Sequence, residues 1–261
     1  MAAEEKGDGT VGKALDVLDM VASRGRPVRF SELLEKSPYP KATLYRFLQT
    51  LTHQGMLQMD AETGAYSPGM RLVRLAHSAW ALSSLAPIAR PHVDSLAALT
   101  GETVHLAQLD GGQVLYVDKR NAAKPVDMFA QAGKVGPAYC TGVGKAMLAY
   151  LPPDQLEAAL SRQSFYRHTA HTLDSPAALR AELEAIRTRG HAFDREEHEA
   201  GIICCAVPIL SRSGKVLGAI SVTSTTSRTT LDALEAEADQ IKGIAARIAA
   251  DAESWRFPEQ E

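Results

Sequence analysis

The chain has 261 residues, 45% of them hydrophobic and 23% charged, which is ordinary for a folded globular protein with one large or two modest domains. No apolar run reaches the roughly 18–20 residues of a transmembrane helix, and the polar start of the chain lacks the pattern of a signal peptide, so we expect a cytoplasmic protein with no membrane segment. The formal net charge of −3 gives the chain as a whole no sign of nucleic-acid binding.

The first 68 residues predict three short helices followed by a hairpin. Apolar residues recur at helical spacing in residues 11–23, and further helices are predicted at 31–36 and 41–53. Two short strands, 56–59 and 65–67, flank a glycine-containing turn. Three helices and a hairpin in this order are typical of a winged helix-turn-helix, a fold that binds DNA.

The third predicted helix is the candidate DNA-reading element. Its apolar stripe would face inward, and the remaining positions would carry the DNA contacts: Lys41, Ala42, Thr43, Tyr45, Arg46 and Gln49. In a helix-turn-helix the second helix enters the major groove, where Arg46 would read a guanine edge and Thr43 or Tyr45 would bond to a phosphate or a base. The alternative is an ordinary amphipathic helix with a solvated face. Five basic against two acidic residues between positions 25 and 58 do not decide between the two.

The rest of the chain predicts an α+β fold with an antiparallel sheet, because hairpin signals alternate with helical segments. Strands are predicted at 103–109, 114–118, 201–210 and 216–223, and helices at about 87–100, 144–151, 153–160, 176–189 and 230–252. The predicted domain boundaries are a flexible tail at 1–9, a winged helix-turn-helix at 10–69, a linker helix at 70–84, a second domain at 85–254 and a tail at 255–261.

The sequence shows no motif that is typical of catalysis or of a metal site. The stretch 141–145 resembles a phosphate-binding loop, but Tyr139 and Ala146 stand where that loop requires Gly and Ser or Thr. Cys140, Cys204 and Cys205 are odd in number and have no CxxC spacing, which argues against disulfides and against a zinc site. We therefore expect no enzyme activity, no cofactor and no metal. The minor alternative is a metal site formed by three histidines that folding could bring together: His105, His191 and His198.

A ligand pocket is suggested by polar residues near the last two predicted strands. The acidic run 194–199 directly precedes an apolar strand, so it would form either a solvated loop or the rim of a pocket. Cys204 lies on one of these strands, and Ser221 and Thr223 lie on the next. Buried hydroxyls need partners, and a polar ligand is one way to supply them. Alternation alone does not say whether these side chains share one face of the sheet.

Seven segments in this order and spacing resemble the isocitrate-lyase regulator (IclR) family of transcription factors over nearly the whole chain. They are residues 11–18 (VGKALDVL), 40–46 (PKATLYR), 101–107 (GETVHLA), 140–149 (CTGVGKAMLA), 190–201 (GHAFDREEHEAG), 204–209 (CCAVPI) and 218–222 (GAISV). The resemblance implies a winged helix-turn-helix, a linker helix and a GAF-like effector domain. It also implies homodimers, often paired into tetramers, that bind palindromic double-stranded operator DNA.

The resemblance also implies a site for a small organic acid in the second domain. Its residues would be the backbone of Gly142 and Val143 together with Met128, Asp194, Ile202, Cys204, Ser221 and Thr223. Ala42 departs from the family, since many members have Ser at this position, so an operator sequence is not carried over.

We therefore predict a ligand-responsive regulator of a catabolic operon, with repression favoured over activation. The alternative to a transcription regulator is an enzyme or a small-molecule-binding protein whose N-terminal domain only mediates assembly.

Overall fold

The computed structural model describes residues 9–254, without the side chains of residues 80–83 and 254. The chain divides into two compact units, residues 1–83 and 84–261. The predicted tails, apart from Gly9, lie outside the described residues, and so does the side chain of Trp80, which belongs to the predicted linker helix. In the part of the chain that is described, no helix is both long and apolar enough to cross a membrane.

The first unit is a helix-turn-helix with a three-stranded wing. Its elements are α1 (Thr10–Ala22), β1 (Val28–Arg29), α2 (Phe30–Lys36), α3 (Lys41–His53), β2 (Leu57–Met59), β3 (Ala65–Pro68) and α4 (Met70–Ser83). The strands pair antiparallel in the order β1-β3-β2. The two-residue strand β1 was not predicted, because so short a strand shows no periodicity.

The core of the first unit forms around the inner stripe of α3. Leu44, Phe47, Leu48 and Leu51 are buried, as their helical spacing predicted, and pack with apolar residues of α1. Each such burial contributes about 1.5–3 kcal/mol, so this stripe fixes which face of α3 remains outside. The helix ends before Gly55, whose φ of +70° is the left-handed conformation that favours glycine.

The second unit is an antiparallel sheet flanked by helices. Its elements are α5 (Ala86–Thr100), β4 (Thr103–Asp110), β5 (Gln113–Arg120), β6 (Val135–Gly136), α6 (Gly142–Leu148), α7 (Pro153–Leu160), α8 (Pro176–Arg189), β7 (Ala192–Arg195), β8 (Ile202–Leu210), β9 (Val216–Thr225), α9 (Leu231–Ala236) and α10 (Ala238–Ser254). The strand order is β6-β5-β4-β9-β8-β7, and all neighbours are antiparallel. The single predicted last helix is in fact two, because the chain leaves the helix at Glu237.

The register of the sheet settles which polar residues share a face. Cys204 lies opposite both Thr223 on β9 and Asp194 on β7. Ser221 lies opposite His105 on β4. Directly opposed residues point to the same side of a sheet, and so do residues two apart along one strand, so all five side chains lie on one face.

Candidate functional site

A small cavity of about 30 Å³ lies on this face of the sheet, beside the start of α6. It is lined by His105, Tyr116, Met128, Ala130, Thr141, Gly142, Val143, Asp194, His198, Glu199, Ile202, Cys204, Ser221 and Thr223. All eight residues predicted for the effector site are therefore brought together around one space. Of the other six, His198 and Glu199 belong to the run 194–199, for which a pocket rim was one of the two interpretations, and the rest were not predicted as ligand contacts.

Two glycines allow close packing at the start of α6, one against the sheet and one against the segment that precedes the helix. A Cβ at Gly142 would overlap the Sγ of Cys204, and a Cβ at Gly144 would overlap the backbone of Ala138. Since these overlaps are far inside van der Waals contact, only glycine fits at either position. Gly142 thus serves the packing of α6 against β8, and Gly144 serves its packing against the segment before the helix.

Three buried ionisable residues form a group next to the cavity. Lys145 is fully buried, and its Nζ pairs with Glu197 Oε1. The backbone N–H of Glu197 donates to Asp194 Oδ1 at 2.8 Å. Burial, reinforced by the nearby Glu197 carboxylate, raises the pKa of Asp194 to about 7. Two residues of the acidic run 194–199, Asp194 and Glu197, are therefore buried, and Asp194 is in strand β7. The interpretation of the run as a solvated loop is wrong for these two residues.

His105 is a buried, neutral imidazole that faces the cavity. Burial, with a smaller effect from Lys119, lowers its pKa to about 3, so it carries no charge at neutral pH. Its Nδ1 lies 3.2 Å from Thr223 Oγ1, which in turn lies 3.3 Å from Ser221 Oγ. The backbone of Ala130 acts to raise the pKa of this imidazole, but no hydrogen bond of ordinary geometry reaches Nε2 from the described residues. A buried nitrogen in this condition is costly unless a further molecule satisfies it.

The segment that holds Met128 and Ala130 covers the cavity. Glu199 Oε1 accepts the backbone N–H of Phe129 at 2.7 Å, and the rings of Phe129 and His198 are 5.0 Å apart, edge to face. Lys119 Nζ donates to the carbonyl of Ala130 at 3.0 Å. We call residues 128–130 the strap. The strap has no regular secondary structure, and Glu199 lies 70 residues away from Phe129 in the chain, so no periodicity could have predicted these contacts.

The charged groups at the cavity are mostly acidic. Asp194 and Glu199 line it, whereas the nearest cations, Lys145 and Lys119, do not line it and are bonded to Glu197 and to the strap. Neutral donors and acceptors therefore provide most of the polar surface that a ligand would meet.

The three cysteines are free and buried. Burial raises the pKa of Cys140 and Cys205 to about 12 and that of Cys204 well above its ordinary value, so all three are neutral thiols. Among residues 9–254, no three His, Cys, Asp or Glu residues are grouped so that they could hold a metal ion.

The candidate DNA-binding surface is the outer face of α3. Lys41, Ala42, Tyr45, Arg46 and Gln49 are exposed, whereas Thr43 is half-buried. Tyr45 packs edge to face on Phe30, with ring centroids 6.1 Å apart. Arg46 makes no ion pair with any described residue; its guanidinium lies 5.8 Å from the centroid of the Phe47 ring and the side chain is exposed, so a base or a phosphate can reach it.

Comparison with known proteins gives the family. The family model described as the IclR helix-turn-helix domain matches residues 10–61, and the model described as the bacterial transcriptional regulator IclR C-terminal domain matches residues 78–250. The chain is 30% identical to the HTH-type transcriptional regulator KdgR of Escherichia coli K12 over 256 residues, 97% of each chain. It is 31% identical to the transcriptional repressor IclR of the same organism over 222 residues, which cover 84% of this chain and 81% of that one.

A solved structure shares the fold. An IclR homologue from Microbacterium hydrocarbonoxydans, complexed with 4-hydroxybenzoate, superposes with a TM-score of 0.81 over 94% of this chain and 100% of that one, at 24% identity. The family models together span most of the chain, and the proteins they describe are transcriptional regulators rather than enzymes, which excludes the enzyme alternative. The chain belongs to the IclR family of DNA-binding transcriptional regulators.

Proposed function

We propose that this protein represses a catabolic operon and is controlled by a small organic acid that binds in the cavity of the second unit. The observation that carries the proposal is the unpartnered Nε2 of His105, a buried polar atom facing a space lined by hydroxyls. A hydroxyl or amine on the ligand would satisfy it, as would a protonated carboxyl. The homologue from Microbacterium hydrocarbonoxydans was solved with 4-hydroxybenzoate, which has both a hydroxyl and a carboxylate.

The polar groups of the ligand would meet the hydroxyls of Ser221 and Thr223 and the imidazole of His105. The backbone of Gly142 and Val143, with Met128, Ile202 and Cys204, would form the remaining walls. A bare carboxylate would be repelled by Glu199, and also by Asp194 once that carboxyl, with its pKa of about 7, loses its proton. We therefore expect the acid to have a second polar group, such as a hydroxyl or an amine, which Asp194 accepts.

Binding requires the cavity to enlarge, because about 30 Å³ admits only water-sized groups. The strap lies outside regular secondary structure, and Glu199 and Lys119 hold its backbone. Its displacement would couple occupancy of the cavity to a change in the second unit. A ligand that binds the displaced state more tightly would shift the population toward it.

The test is calorimetric titration of the full chain with a panel of small hydroxy, keto, amino and sugar acids, each with its amide and its deoxy analogue. We expect at least one hydroxy or amino acid to bind, and Ser221→Ala and Thr223→Val each to weaken it about 5- to 10-fold, because one buried hydrogen bond is lost. Ser213→Ala, an exposed serine of the same unit, is the matched control and leaves affinity unchanged. Tight binding of a purely apolar compound, insensitive to both cavity variants, would contradict the proposal.

We further propose that the protein acts as a homodimer, or as a tetramer built from two dimers. The helix α4 has an exposed apolar surface that includes Met70, Val73 and Leu75. A two-fold assembly matches a palindromic operator, because each half-site then meets an identical α3.

A further inference from the structure

The hairpin of the wing is negatively charged. Residues 57–68 include Asp60 and Glu62 and no lysine or arginine. Asp60 is engaged in the turn itself: its Oδ1 accepts the N–H groups of Glu62 at 3.0 Å and of Thr63 at 2.7 Å, and the Thr63 hydroxyl at 2.9 Å. Glu62 is exposed, and its side chain makes no hydrogen bond or ion pair with the residues that the structure describes. The wing therefore presents one carboxylate with no structural partner.

This carboxylate lies at the border of the DNA-binding surface. A groove between α3 and the wing is lined by Phe30, Lys41, Ala42, Tyr45, Gly64 and Tyr66. Three of the six predicted DNA contacts thus share a groove with the wing residue Gly64. Since consecutive Cα atoms are 3.8 Å apart, the Cα of Glu62 is within about 7.6 Å of that of Gly64. The Debye length at physiological salt is roughly 8 Å, so a charge at position 62 is only partly screened at this border.

We propose that Glu62 weakens sequence-independent binding to DNA by repelling a backbone phosphate when α3 lies in the major groove. Binding without sequence preference depends on the attraction of basic groups to phosphates, and a wing with lysine or arginine at its tip would add to it. In this chain the wing tip carries Glu62 instead, which lowers the sequence-independent affinity for DNA.

The repulsion applies to every sequence, whereas the base contacts of α3 are gained only at an operator. A protein whose phosphate attraction is reduced in this way retains useful affinity only where those base contacts form. Glu62 would thus set how much the protein depends on α3 for its total affinity. The inference rests on DNA binding by the helix-turn-helix and adds to it the role of one wing residue.

The test measures binding of the full chain to a random-sequence DNA duplex by fluorescence anisotropy, at low and at physiological salt. Glu62→Gln is expected to tighten binding about threefold, the effect of removing one repulsion between unit charges about 7 Å apart in water. Glu62→Lys is expected to tighten it about tenfold and to steepen the salt dependence, because it adds a phosphate contact. Glu184→Gln, which removes an exposed carboxylate from α8 in the second unit, controls for net charge and leaves affinity unchanged.

The outcomes separate the inference from the binding on which it rests. Parent and both Glu62 variants binding with equal affinity would overturn the role of Glu62 alone. The same gain from Glu184→Gln as from Glu62→Gln would also overturn it, because net charge and not position would then be responsible. A parent chain that binds no duplex even at low salt would overturn both DNA binding and this inference.

Discussion

The backbone N–H of Glu197 donates to the buried carboxyl of Asp194 at 2.8 Å, while the Glu197 side chain pairs with the fully buried Lys145. Glu197 thus links Lys145, the cation of this buried group, to Asp194 in the cavity wall. The group contains two buried carboxyls and one ammonium, so it is neutral only when Asp194 retains its proton. Its stability is therefore expected to depend on pH and on each member being present.

Asp194→Asn is expected to change how stability varies with pH. The pKa of Asp194 is raised from the ordinary 3.8 to about 7 in the folded protein, so the protonated carboxyl favours the folded state. This contribution is full below pH of about 4 and is lost as pH rises through 7. Relative to the parent, the variant should gain stability between pH 4 and pH 8, by up to about 4 kcal/mol. Asn retains the acceptor oxygen for the Glu197 N–H.

The measurement is urea unfolding of parent and variant across that pH range. Asp174→Asn, at an exposed position of the same unit, is the control and should follow the parent. A stability difference between Asp194→Asn and the parent that stays constant with pH would show that Asp194 is ionised in the folded state.

Lys145→Met is expected to destabilise the second unit by about 3–5 kcal/mol. The substitution leaves the Glu197 carboxylate buried without its cation, and Glu197 Oε2 already has no partner among the described residues. Adding Glu197→Gln should recover part of the loss, because no uncompensated charge then remains. Lys215→Met, at an exposed lysine, provides the comparison in denaturant unfolding. A double variant no more stable than Lys145→Met would contradict this account.

Arg46→Ala is expected to abolish specific operator binding while leaving folding intact. The guanidinium is exposed on α3, one turn beyond Thr43, and has no ion pair with a described residue. Loss of a bidentate base contact costs roughly 1–3 kcal/mol at each half-site. Footprinting on the DNA upstream of the protein's own gene, at matched salt, is the measurement. Arg247→Ala, in the second unit, is the control, and a parent-like footprint from Arg46→Ala would place the reading contact elsewhere.

The sequence could predict the contacts that follow from the periodicity of one helix or strand, but not those that depend on how distant elements pair. The inner stripe of α3 was predicted because the helical period alone determines it. Alternation along β8 and β9 predicted two polar faces but not that they coincide, since that depends on the register in which Cys204 opposes Thr223. The burial of Asp194 was not predicted, because the nearby buried cation, Lys145, lies 49 residues earlier in the chain. His105 was weighed only as a metal ligand, and its place in the cavity depends on pairing between β4 and β9.

Val73→Glu combined with Leu75→Glu is expected to convert the protein to a monomer. Both side chains are at least half exposed on α4, at 58% and 50%, and a monomer rarely leaves an extended apolar patch in water. Sedimentation at micromolar concentration is the measurement, and the parent should be a dimer or a tetramer. His77→Glu, an exposed polar residue of the same helix, controls for added charge. A monomeric parent would contradict the proposed assembly.

Gly142→Ala is expected to destabilise the second unit by about 1–3 kcal/mol, because the added Cβ would overlap the Sγ of Cys204 and force α6 away from β8. Cys204→Ala in the same chain should recover most of this loss, since it removes the atom that is struck. Gly243→Ala is the matched control: a Cβ there meets only the end of Arg247 at 4.0 Å, and Ala in a helix should stabilise by up to about 1 kcal/mol. The measurement is a double-mutant cycle in denaturant unfolding. If the two substitutions were simply additive, the close approach of Gly142 to Cys204 would not be the reason for glycine at the cavity wall.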